Sequence, residues 1–511
     1  MGDPENLHEW FRRRTARGPD RPALSFQGET WSYGDMQRRI ERLSAVFAAG
    51  GLGPGDRVAY LGLNHSIVVL ALFAAARLGA ILVPINFRLT RPEVTAIIED
   101  AGAHTVVADA RHAPLLDAAR EDLSCRSYFC LEPLEGWDLI GPCEDSIDVP
   151  PAVSARADDV VTLVYTSGTT GKPKGVMLSH RNLWTSSLNW ILTCDMSSRD
   201  VVLDCTPLFH VGGLCALLTP TLMMGGHAVL HESFDPLLYL EDIARYGVTV
   251  NFAVPAMLLA ASQHERFRSV DLSTLRFIVA AGAPVPEPLL RTFNQHGVPI
   301  SQCYGQTEAT SAVTFLEPNR AAVKLGACGR PGLLNEVRLV DAAGGVITEP
   351  GVHGEICVRG GIVTQGYWNR PLDSEAAMDA EGWLHSGDIA YRDEEGFYYI
   401  CDRLKDMIIS GGENIYPAEI ESVLYEHPSV AEAAVIGAAD DRWGEVVVAL
   451  IVLKPATSLM FDDLIRFLTP RLARYKLPRD LHVLDVMPRN SNGKVLKNEL
   501  RQRFGTTHSK R

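Results

Sequence analysis

The stretch Tyr165-Thr-Ser-Gly-Thr-Thr-Gly-Lys-Pro-Lys-Gly175 restricts the fold and the chemistry of this chain more than any other segment. Within eleven residues it carries four Ser or Thr hydroxyls, three glycines and two lysines, a composition suited to wrapping a polyphosphate. One apolar run, residues 160–164, precedes it and another, residues 176–178, follows it. Because Gly, Ser and Thr favour turns, the pattern predicts a strand, a mobile loop and a second strand.

The loop differs from the P-loop of nucleoside triphosphatases. That motif needs Gly-Lys followed by Ser or Thr on a turn that opens a helix, whereas Lys172 is followed by Pro173. Proline offers neither an N–H for a phosphate nor a hydroxyl for a metal. Taken alone, the segment also fits a flexible hairpin with two solvated lysines, so the phosphate hypothesis depends on other parts of a nucleotide site.

Further elements of such a site follow in order. Residues 300–304 predict a short buried strand that ends in Tyr304, after which Gly305-Gln-Thr-Glu308 turns away. A carboxylate at that turn is a hard oxygen ligand of the kind Mg²⁺ prefers. An ordinary strand-to-helix turn is the alternative. Upstream, residues 280–284 make a small-residue turn after a strand at 277–279.

A hairpin is predicted further on. Residues 388–392 and 397–401 flank Asp393-Glu-Glu-Gly396, a loop that ends in Gly as hairpin turns often do. Pairing 392 with 397 places 388 opposite 401, so Asp388 meets Asp402 and Arg403 at the open end. That carboxylate could accept two ribose hydroxyls, or it could form a surface salt bridge with Arg403.

Three more features complete the series. Gly411 and Gly412 suit a loop that approaches a ligand with its backbone. Trp443 lies in a polar turn before a strand at 446–452, where a partly packed ring is the alternative. Near the end, Asn492-Gly493 is a tight-turn dipeptide that presents Lys494 at a loop tip, although a lone lysine is usually a surface residue.

Taken together and in this order, these segments resemble the adenylate-forming superfamily. That superfamily holds acyl-CoA and aryl-CoA synthetases, nonribosomal-peptide adenylation domains and firefly-type luciferases. The resemblance covers nearly the whole chain and is greatest to bacterial feruloyl-CoA and fatty-acyl-CoA ligases.

The resemblance implies a role for each segment. The expected nucleotide-binding residues are Thr166, Ser167, Gly168, Thr169, Thr170, Lys174, Gly282, Ala283, Pro284, Tyr304, Thr307, Asp388 and Arg403. Among them Tyr304 would lie against adenine, Thr307 would contact the α-phosphate and Asp388 the ribose. Glu308 would hold Mg²⁺, and Lys494 would touch both the substrate carboxylate and the α-phosphate. Gly411, Gly412 and Trp443 would serve CoA.

The resemblance also implies the fold. It is α/β, with a large N-terminal domain of two doubly wound, mostly parallel sheets plus a small β-barrel. A small mobile α+β domain would follow. The expected domains are residues 1–401 and 402–511, with a hinge at Asp402. A chain of 511 residues exceeds one ordinary core, and strands alternating with helices up to about residue 330 predict parallel sheets in any case.

Composition limits the partners. The net charge is −14, which argues against a nucleic-acid surface and against adhesion to anionic lipid. The ten cysteines include no CxxC pair, which favours reduced thiols in the cytoplasm and no zinc. The longest apolar stretch, residues 67–83, contains Arg77 and Gly79 and predicts a core helix that leads into a strand, not a membrane span.

The substrate is inferred from the segments expected to line the acyl pocket, residues 207–215, 251–257, 280–284 and 303–315. They contain no Lys or Arg, so a second carboxylate buried there would lack a counter-charge. An apolar or aromatic monocarboxylate is therefore expected. The expected pocket residues are Phe209, Gly212, Phe252, Gly282 and Val313. His210, grouped with the catalytic residues, is predicted to gate the pocket; a hydrogen-bonded histidine before a helix is an equal alternative.

The sequence thus predicts an AMP-forming acyl- or aryl-CoA synthetase that uses ATP, Mg²⁺ and CoA. Rivals are an enzyme that passes the acyl group to an amine or a carrier protein, and a luciferase-like oxidase. A non-catalytic adenylate-binding homologue is disfavoured, because Lys494, Glu308 and Asp402 are all present. The sequence leaves open whether the protein is a homodimer.

Overall fold

The structure is a computed structural model that describes residues 3–140, 148–166, 173–283, 285–411, 413–489 and 495–505. The elements below were assigned within these ranges. The strands are β1 (Pro22–Phe26), β2 (Glu29–Ser32), β3 (Arg57–Leu61), β4 (Ile81–Ile85), β5 (Thr105–Ala108), β6 (Ser127–Cys130), β7 (Asp138–Leu139), β8 (Val160–Thr166), β9 (Lys174–Ser179), β10 (Val201–Asp204), β11 (His227–Leu230), β12 (Val250–Ala253), β13 (Phe277–Ala280), β14 (Ile300–Tyr304), β15 (Thr314–Phe315), β16 (Arg330–Pro331), β17 (Asn335–Val340), β18 (Val346–Ile347), β19 (Gly354–Gly360), β20 (Leu384–Arg392), β21 (Tyr398–Arg403), β22 (Ile408–Ser410), β23 (Glu413–Ile415), β24 (Val430–Asp440), β25 (Gly444–Leu453) and β26 (Asp480–Val483).

The helices alternate with these strands through most of the chain. They are α1 (Leu7–Arg17), α2 (Tyr33–Ala49), α3 (Ser66–Leu78), α4 (Arg91–Ala101), α5 (Pro114–Asp117), α6 (His180–Thr193), α7 (Thr219–Met224), α8 (Pro236–Tyr246), α9 (Pro255–Gln263), α10 (Glu287–Gln295), α11 (Pro371–Ala377), α12 (Pro417–Tyr425), α13 (Phe461–Leu468) and α14 (Lys497–Phe504). A π-helical segment, Gly212–Leu218, directly precedes α7.

Two large, mostly parallel sheets form the first part of the chain. One is ordered β16-β15-β14-β13-β12-β10-β11-β1-β2 and the other β7-β6-β5-β3-β4-β8-β9. Within the first, β1, β11, β10, β12, β13 and β14 run parallel. Since parallel strands end at a common edge, the loops after β10, β12, β13 and β14 meet there. This confirms the predicted doubly wound sheets.

Two smaller sheets follow. The region predicted as a small barrel is a five-stranded sheet, ordered β18-β17-β19-β20-β21. The C-terminal α+β region holds the sheet β23-β22-β25-β24, with β26 paired to β25. By contact density the chain separates into two compact units, residues 1–337 with 357–385 and residues 338–356 with 386–511. We refer to them as unit 1 and unit 2.

Local sequence explains the element boundaries. Helix α2 begins at a capping box in which Ser32 and Asp35 exchange hydrogen bonds. Helix α8 has Asp235 as its N-cap and Pro236 at its first position, and it ends at Gly247 in the left-handed conformation. The apolar stretch 67–83 divides into buried α3 and fully buried β4, as predicted. Within the described ranges, no helix has both the length and the apolar character needed to cross a membrane.

Candidate active site

The β8–β9 hairpin carries the hydroxyl- and glycine-rich loop. The two strands are antiparallel, with Thr166 opposite Lys174 and Tyr165 opposite Gly175. The predicted strand–loop–strand order is therefore correct in its two strands. The loop residues Ser167, Gly168, Thr169 and Thr170 lie outside the described residues.

Lys174 is held by two side chains of the segment after β19. Its Nζ lies 2.8 Å from Asp373 Oδ1 and 5.1 Å from the centre of the Tyr367 ring. The Lys174 side chain is 14% exposed, and that of Asp373 38%. Because the aspartate remains open to water, this ion pair contributes little to stability and can exchange for a stronger anion. The lysine therefore stands ready for a phosphate beside an aromatic face.

Glu308 lies on the turn after β14, and its carboxylate meets the same tyrosine. The Tyr367 hydroxyl donates to Glu308 Oε1 over 2.9 Å. Burial, and then the charge of Glu308, raises the pKa of Tyr367 well above its usual value, so the phenol remains a donor. The backbone of Glu308 is fixed as well, since its carbonyl accepts from the Thr364 N–H at 2.8 Å. One segment thus holds Glu308 at both its backbone and its side chain.

Glycine is required after Tyr304. A Cβ built on Gly305 would lie 1.6 Å from the carbonyl oxygen of Ser311, so no side chain fits. The chain folds back here through Thr310 and Ser311, both with positive φ, and the Val313 N–H returns to Tyr304 O at 2.8 Å. Non-glycine residues in that conformation are uncommon and tend to occur where function dictates the backbone.

The small-residue turn after β13 lies beside this one. Strand β13 pairs with both β12 and β14, so the turns after β13 and β14 leave the sheet at one edge. Gly282 and Ala283 are exposed there, while Pro284 is not among the described residues. Tyr304 is partly buried and Thr307 is buried. The turn after β13 therefore presents small, exposed residues beside the strand that ends in Tyr304.

Four residues from distant parts of unit 1 form what we call the aromatic wall: Trp190, Gly212, Phe252 and Phe315. The Trp190 ring meets Phe252 at 6.5 Å and Phe315 at 4.8 Å between ring centres, both edge to face. A Cβ on Gly212 would lie 3.1 Å from Phe252 Cε1, so glycine here lets the chain approach this ring closely. The three rings are almost fully buried, and Gly212 is partly buried.

The π-helical segment sets the position of Gly212 in that wall. A Cβ on the next residue, Gly213, would meet the Pro207 carbonyl oxygen at 2.5 Å, so the π-helix packs against the backbone before it. π-Helical turns are rare and occur often at functional sites. No local sequence signal indicated this wider turn.

The turn between β10 and the π-helix is fixed by two buried polar side chains. The Asp204 carboxylate accepts the Thr206 N–H at 3.1 Å, and Asn64 Oδ1 accepts the Leu208 N–H at 2.8 Å. Burial raises the pKa of Asp204 to about 7. This turn leads to Phe209 and His210, whose rings lie 5.2 Å apart.

Val313 and Phe209, two other residues predicted for the acyl pocket, lie in different surroundings. Val313 is fully buried in a cluster with Ala309, Val358, Ile362 and Leu384. Phe252 belongs to a different core cluster. Near Phe209 lies a cation that the four pocket segments do not include. The Arg88 guanidinium is 5.8 Å from the Phe209 ring and 5.0 Å from the Phe87 ring.

In unit 2, the predicted hairpin forms, but its register needs correction. Arg392 pairs with Tyr398, not with Phe397, and an irregularity between Ile389 and Ala390 places Asp388 opposite Arg403, not Cys401. The cause is the turn. The Asp393 N–H donates to Phe397 O at 2.9 Å, so the loop is one residue shorter than predicted and Arg392 pairs with the residue after Phe397. Asp388 still meets Arg403, with Oδ1 and Nε 3.5 Å apart.

Asp402 is tied to the helix that follows it. Its Oδ2 accepts the Ala418 N–H of α12 at 2.8 Å, and its Oδ1 accepts the Arg403 N–H at 2.7 Å. A carboxylate at a helix N-terminus is stabilised by the free N–H groups there. The hinge role of Asp402 stays a prediction.

A pocket of unit 2 contains two of the residues expected to serve CoA. The Gly411 N–H donates to Trp443 O at 2.8 Å, and a Cβ on Gly411 would lie 2.7 Å from the Trp443 ring. Tyr475 and Arg479 also line the pocket. Gly412 and Lys494 are outside the described part of the chain.

The donor set around Glu308 fits Mg²⁺. This ion usually binds proteins through one or two carboxylates and takes its remaining ligands from phosphates and water. Glu308 supplies one partly buried carboxylate, oriented by the Tyr367 hydroxyl. A single oriented carboxylate beside a lysine suits a metal that arrives with a polyphosphate.

Sequence reasoning missed Tyr367, Asp373, Trp190 and Arg88. Trp190 and Arg88 lie in segments without a recognisable motif, and their relevance depends on folding. Tyr367 follows a left-handed Gly366, a pair that marks a turn, but nothing local connects it to Glu308.

Unit 1 is thus a doubly wound α/β fold that combines a lysine on β9, an oriented carboxylate on the turn after β14 and a group of buried aromatic rings. These features together indicate an α/β enzyme that binds a nucleotide. The model of the AMP-binding enzyme family matches residues 11–368, and that of the AMP-binding enzyme C-terminal domain matches residues 419–494.

The sequences of two named CoA ligases match this chain along almost its full length. A feruloyl-CoA synthase from Amycolatopsis sp is 41% identical over 501 residues, which cover 98% of this chain and 99% of the relative. The indoleacetate–CoA ligase of Aromatoleum aromaticum is 39% identical and covers 97% and 98% of the two chains.

A solved structure adds the fold. The o-succinylbenzoate CoA synthetase of Bacillus subtilis, in complex with ATP and magnesium ion, superposes with a TM-score of 0.86 at 35% identity, covering 96% of this chain and 99% of that one. The chain therefore belongs to the AMP-binding enzyme family, in the acyl-CoA synthetase branch of the adenylate-forming superfamily. It is an acid–thiol ligase of the AMP-forming type.

Proposed function

We propose that this enzyme activates an apolar or aromatic monocarboxylic acid as its acyl adenylate and then transfers the acyl group to CoA. The co-substrates are ATP and CoA, with Mg²⁺. The first half-reaction releases pyrophosphate and the second releases AMP.

The aromatic wall is the observation that supports this class of acid. Trp190, Phe252 and Phe315 form edge-to-face ring pairs, and Gly212 places no side chain against Phe252. Aromatic rings pack well against such a surface in offset or edge-to-face geometry. A charged or strongly polar acyl group would lose its hydration there without a partner. The feruloyl-CoA and indoleacetate relatives are named for aryl acids, in line with this choice.

For adenylation we assign the roles as follows. A carboxylate oxygen of the acid attacks the α-phosphorus of ATP, and the bond to pyrophosphate breaks. Lys494 neutralises the charge that builds between the acid and the α-phosphate. Lys174 and the hydroxyls around Thr166 hold the outgoing phosphates, Thr307 the α-phosphate, and Tyr304 with the turn at Gly282 and Ala283 the adenine. The protein acts mainly by positioning and charge stabilisation.

Glu308 is proposed to hold the metal, and Asp388 the ribose hydroxyls. Mg²⁺ supplies charge neutralisation on the departing phosphates. Asp388 can accept ribose hydroxyls only if its ion pair with Arg403, at 3.5 Å, is weak. The Arg403 side chain is 48% exposed, so water weakens that pair. His210, beside Phe209, is proposed to gate the entry of the acid.

For the thioester step we propose that the region after Asp402 moves as a lid about that residue, within the domain limits 1–401 and 402–511. The CoA thiolate then attacks the acyl carbonyl and AMP leaves. The unit 2 pocket suits the nucleotide part of CoA, because Trp443 and Tyr475 offer rings and Arg479 a cation. Gly411 and Gly412 offer backbone to the pantetheine arm.

Arg88 favours a second candidate substrate. Its guanidinium lies over Phe87 and Phe209, at the same loop as His210. An aryl acid with a second anionic group could extend toward that cation. Such a substrate would keep the aromatic wall and add one ion pair.

A substrate panel tests these proposals. Pyrophosphate release is followed with cinnamic, benzoic, indole-acetic, fatty and aryl dicarboxylic acids, each with and without CoA. We expect the highest kcat/KM for an aryl monocarboxylate, with a CoA-dependent rise in turnover. Preference for an aryl dicarboxylate that is lost in Arg88→Gln selects the second candidate. Release that ignores CoA but rises with an added amine refutes CoA as the acceptor.

Location and assembly are further proposals. We propose a cytoplasmic enzyme, since its co-substrates are found there and its nine described cysteines are free thiols. Fractionation of the source cells tests the location. Light scattering in solution decides between a monomer and the homodimer.

A further inference from the structure

Tyr367 contacts both charged groups at the phosphate end of unit 1. Its hydroxyl donates to Glu308 Oε1 at 2.9 Å, while the centre of its ring lies 5.1 Å from Lys174 Nζ. One rigid side chain with two torsions therefore spans from the carboxylate to the ammonium. The distance between those two charges depends on where this ring stands.

The backbone on both sides of Tyr367 is fixed. Its N–H donates to Ser374 Oγ at 2.8 Å, and its carbonyl accepts from the Arg370 N–H at 3.1 Å. The neighbouring Trp368 N–H donates to Gly175 O at 2.8 Å, one residue from Lys174. Because Lys174 lies on the same strand, β9 fixes the positions of both the Tyr367 ring and the lysine.

We propose that Tyr367 is a positioning residue that orients Glu308 toward magnesium and sets the place of Lys174. This inference rests on the proposed function, in which Glu308 holds the metal and Lys174 a phosphate. The two contacts are separable: the hydroxyl serves the carboxylate, and the ring face serves the ammonium. Tyr367 touches neither reacting atom.

The physical basis is the ordering of a ligand before the metal arrives. A carboxylate that must rotate into place pays rotamer entropy on binding, whereas one already hydrogen-bonded does not. Loss of such an outer partner typically lowers metal affinity 10- to 100-fold. The ring adds a smaller electrostatic attraction for the lysine. Asp373 competes for that lysine from its other side.

Two variants separate the contacts. Tyr367→Phe removes the hydroxyl but keeps the ring under Lys174, and Tyr367→Leu removes both. Tyr399→Phe in unit 2 is the matched control, because the Tyr399 hydroxyl also donates to a carboxylate, Asp393 Oδ2 at 3.3 Å, and the proposed function gives neither residue a role. Calorimetry measures binding of a non-hydrolysable ATP analogue in EDTA and in saturating Mg²⁺, and thermal unfolding verifies the fold.

In Tyr367→Phe we expect the gain in analogue affinity from Mg²⁺ to fall about tenfold, with the metal-free affinity unchanged. In Tyr367→Leu the metal-free affinity should fall a few-fold as well. Tyr399→Phe should match the parent in both affinities. A parental Mg²⁺ gain in Tyr367→Phe overturns the proposal, and so does an equal loss with and without the metal.

Glu308→Gln distinguishes this inference from the function on which it rests. If Glu308→Gln loses the Mg²⁺ gain while Tyr367→Phe keeps it, only the role of Tyr367 is wrong. If Glu308→Gln keeps the gain, the metal role of Glu308 is wrong and the inference falls with it. Loss in both variants, with the control intact, supports both assignments.

Discussion

The phosphate end and the aromatic wall of unit 1 are built in opposite ways. At the phosphate end, Lys174 and Glu308 are charged and partly open to water, and each is held by a named polar or electrostatic contact. In the wall, Trp190 and Phe252 are almost fully buried and are held mainly by packing against their ring neighbours, with one hydrogen bond in which the Trp190 Nε1–H donates to Ser311 Oγ at 3.0 Å. One end is suited to exchange ions, the other to select shape.

This difference explains what the sequence can predict about each end. Phosphate chemistry needs particular groups at close sequence spacing, such as the hydroxyls and lysines of the β8–β9 loop. Shape selection needs only enough apolar volume, which residues 190, 212, 252 and 315 supply from four separate elements. Reaction type is therefore encoded locally, and substrate identity is encoded by the tertiary fold.

The largest effect is expected for Lys494→Ala. Removing one charged contact at a phosphoryl centre should lower the adenylation rate about 10²–10³-fold, or roughly 3–4 kcal/mol. Conversion of a supplied acyl adenylate to the thioester should persist. Single-turnover assays of each half-reaction measure this, with exposed Lys454→Ala as the control. Adenylate formation at the parental rate would remove Lys494 from the mechanism.

A large effect on stability is expected from Asp204, below the aromatic wall. Its folded pKa of about 7 is raised from 3.8 by burial, so the folded state favours the protonated form. The stability this provides is complete below about pH 4 and is lost as pH rises to 7 and beyond. The loss should be on the order of 2–4 kcal/mol. Urea unfolding at pH 5 and pH 8 should show it in the parent.

Asp204→Asn should flatten that pH dependence, because the amide oxygen still accepts from Thr206 but carries no charge. The KM for ATP should not respond, since the phosphate end lies on other elements. Equal slopes for parent and variant would show that Asp204 does not titrate in this range.

A moderate effect is expected at the wall itself. Gly212→Ala places a methyl 3.1 Å from the Phe252 ring, so either the ring shifts or the pocket narrows. The KM for bulky aryl acids should rise about tenfold, close to 1.4 kcal/mol, while the KM for ATP stays unchanged. Gly53→Ala adds the same methyl with its nearest atom 3.7 Å away and serves as the control. A rise in both KM values would mean that the two ends are not independent.

The smallest effect is expected from Asp373→Asn. Without its 2.8 Å ion pair, Lys174 is freer to meet a phosphate, so the KM for ATP should fall about two- to threefold at constant kcat. Exposed Asp122→Asn is the control. A higher KM would instead show that Asp373 holds Lys174 in its binding position.

The comparison also indicates how far the sequence alone could lead. Strand β14 coincides with its predicted range, residues 300–304, because the turn that begins at Gly305 ends it. The hairpin of Asp388 and Arg403 was predicted, but a bulge and a tighter turn moved its register. Bulges depend on neighbouring strands, which local rules do not include.

Two further contacts join residues that are distant in the sequence. Tyr367 stands 59 residues from Glu308, and no spacing rule connects them. Val313, predicted for the acyl pocket, packs with Val358, Ile362 and Leu384, and its role in that pocket stays a prediction. Contacts across such separations follow from tertiary packing, not from motifs.

The π-helical turn at Gly212–Leu218 has an evolutionary consequence. A π-turn holds one residue more than the α-turn it replaces, so a single codon inserted or deleted there changes the bulge without altering either end of the helix. Such a change would rotate the residues beside Gly212, which we propose for the acid pocket, by one position while β10 and α7 stay in place. Substrate range in this lineage could therefore shift through length variation at one codon, faster than by replacing the buried aromatic residues one at a time.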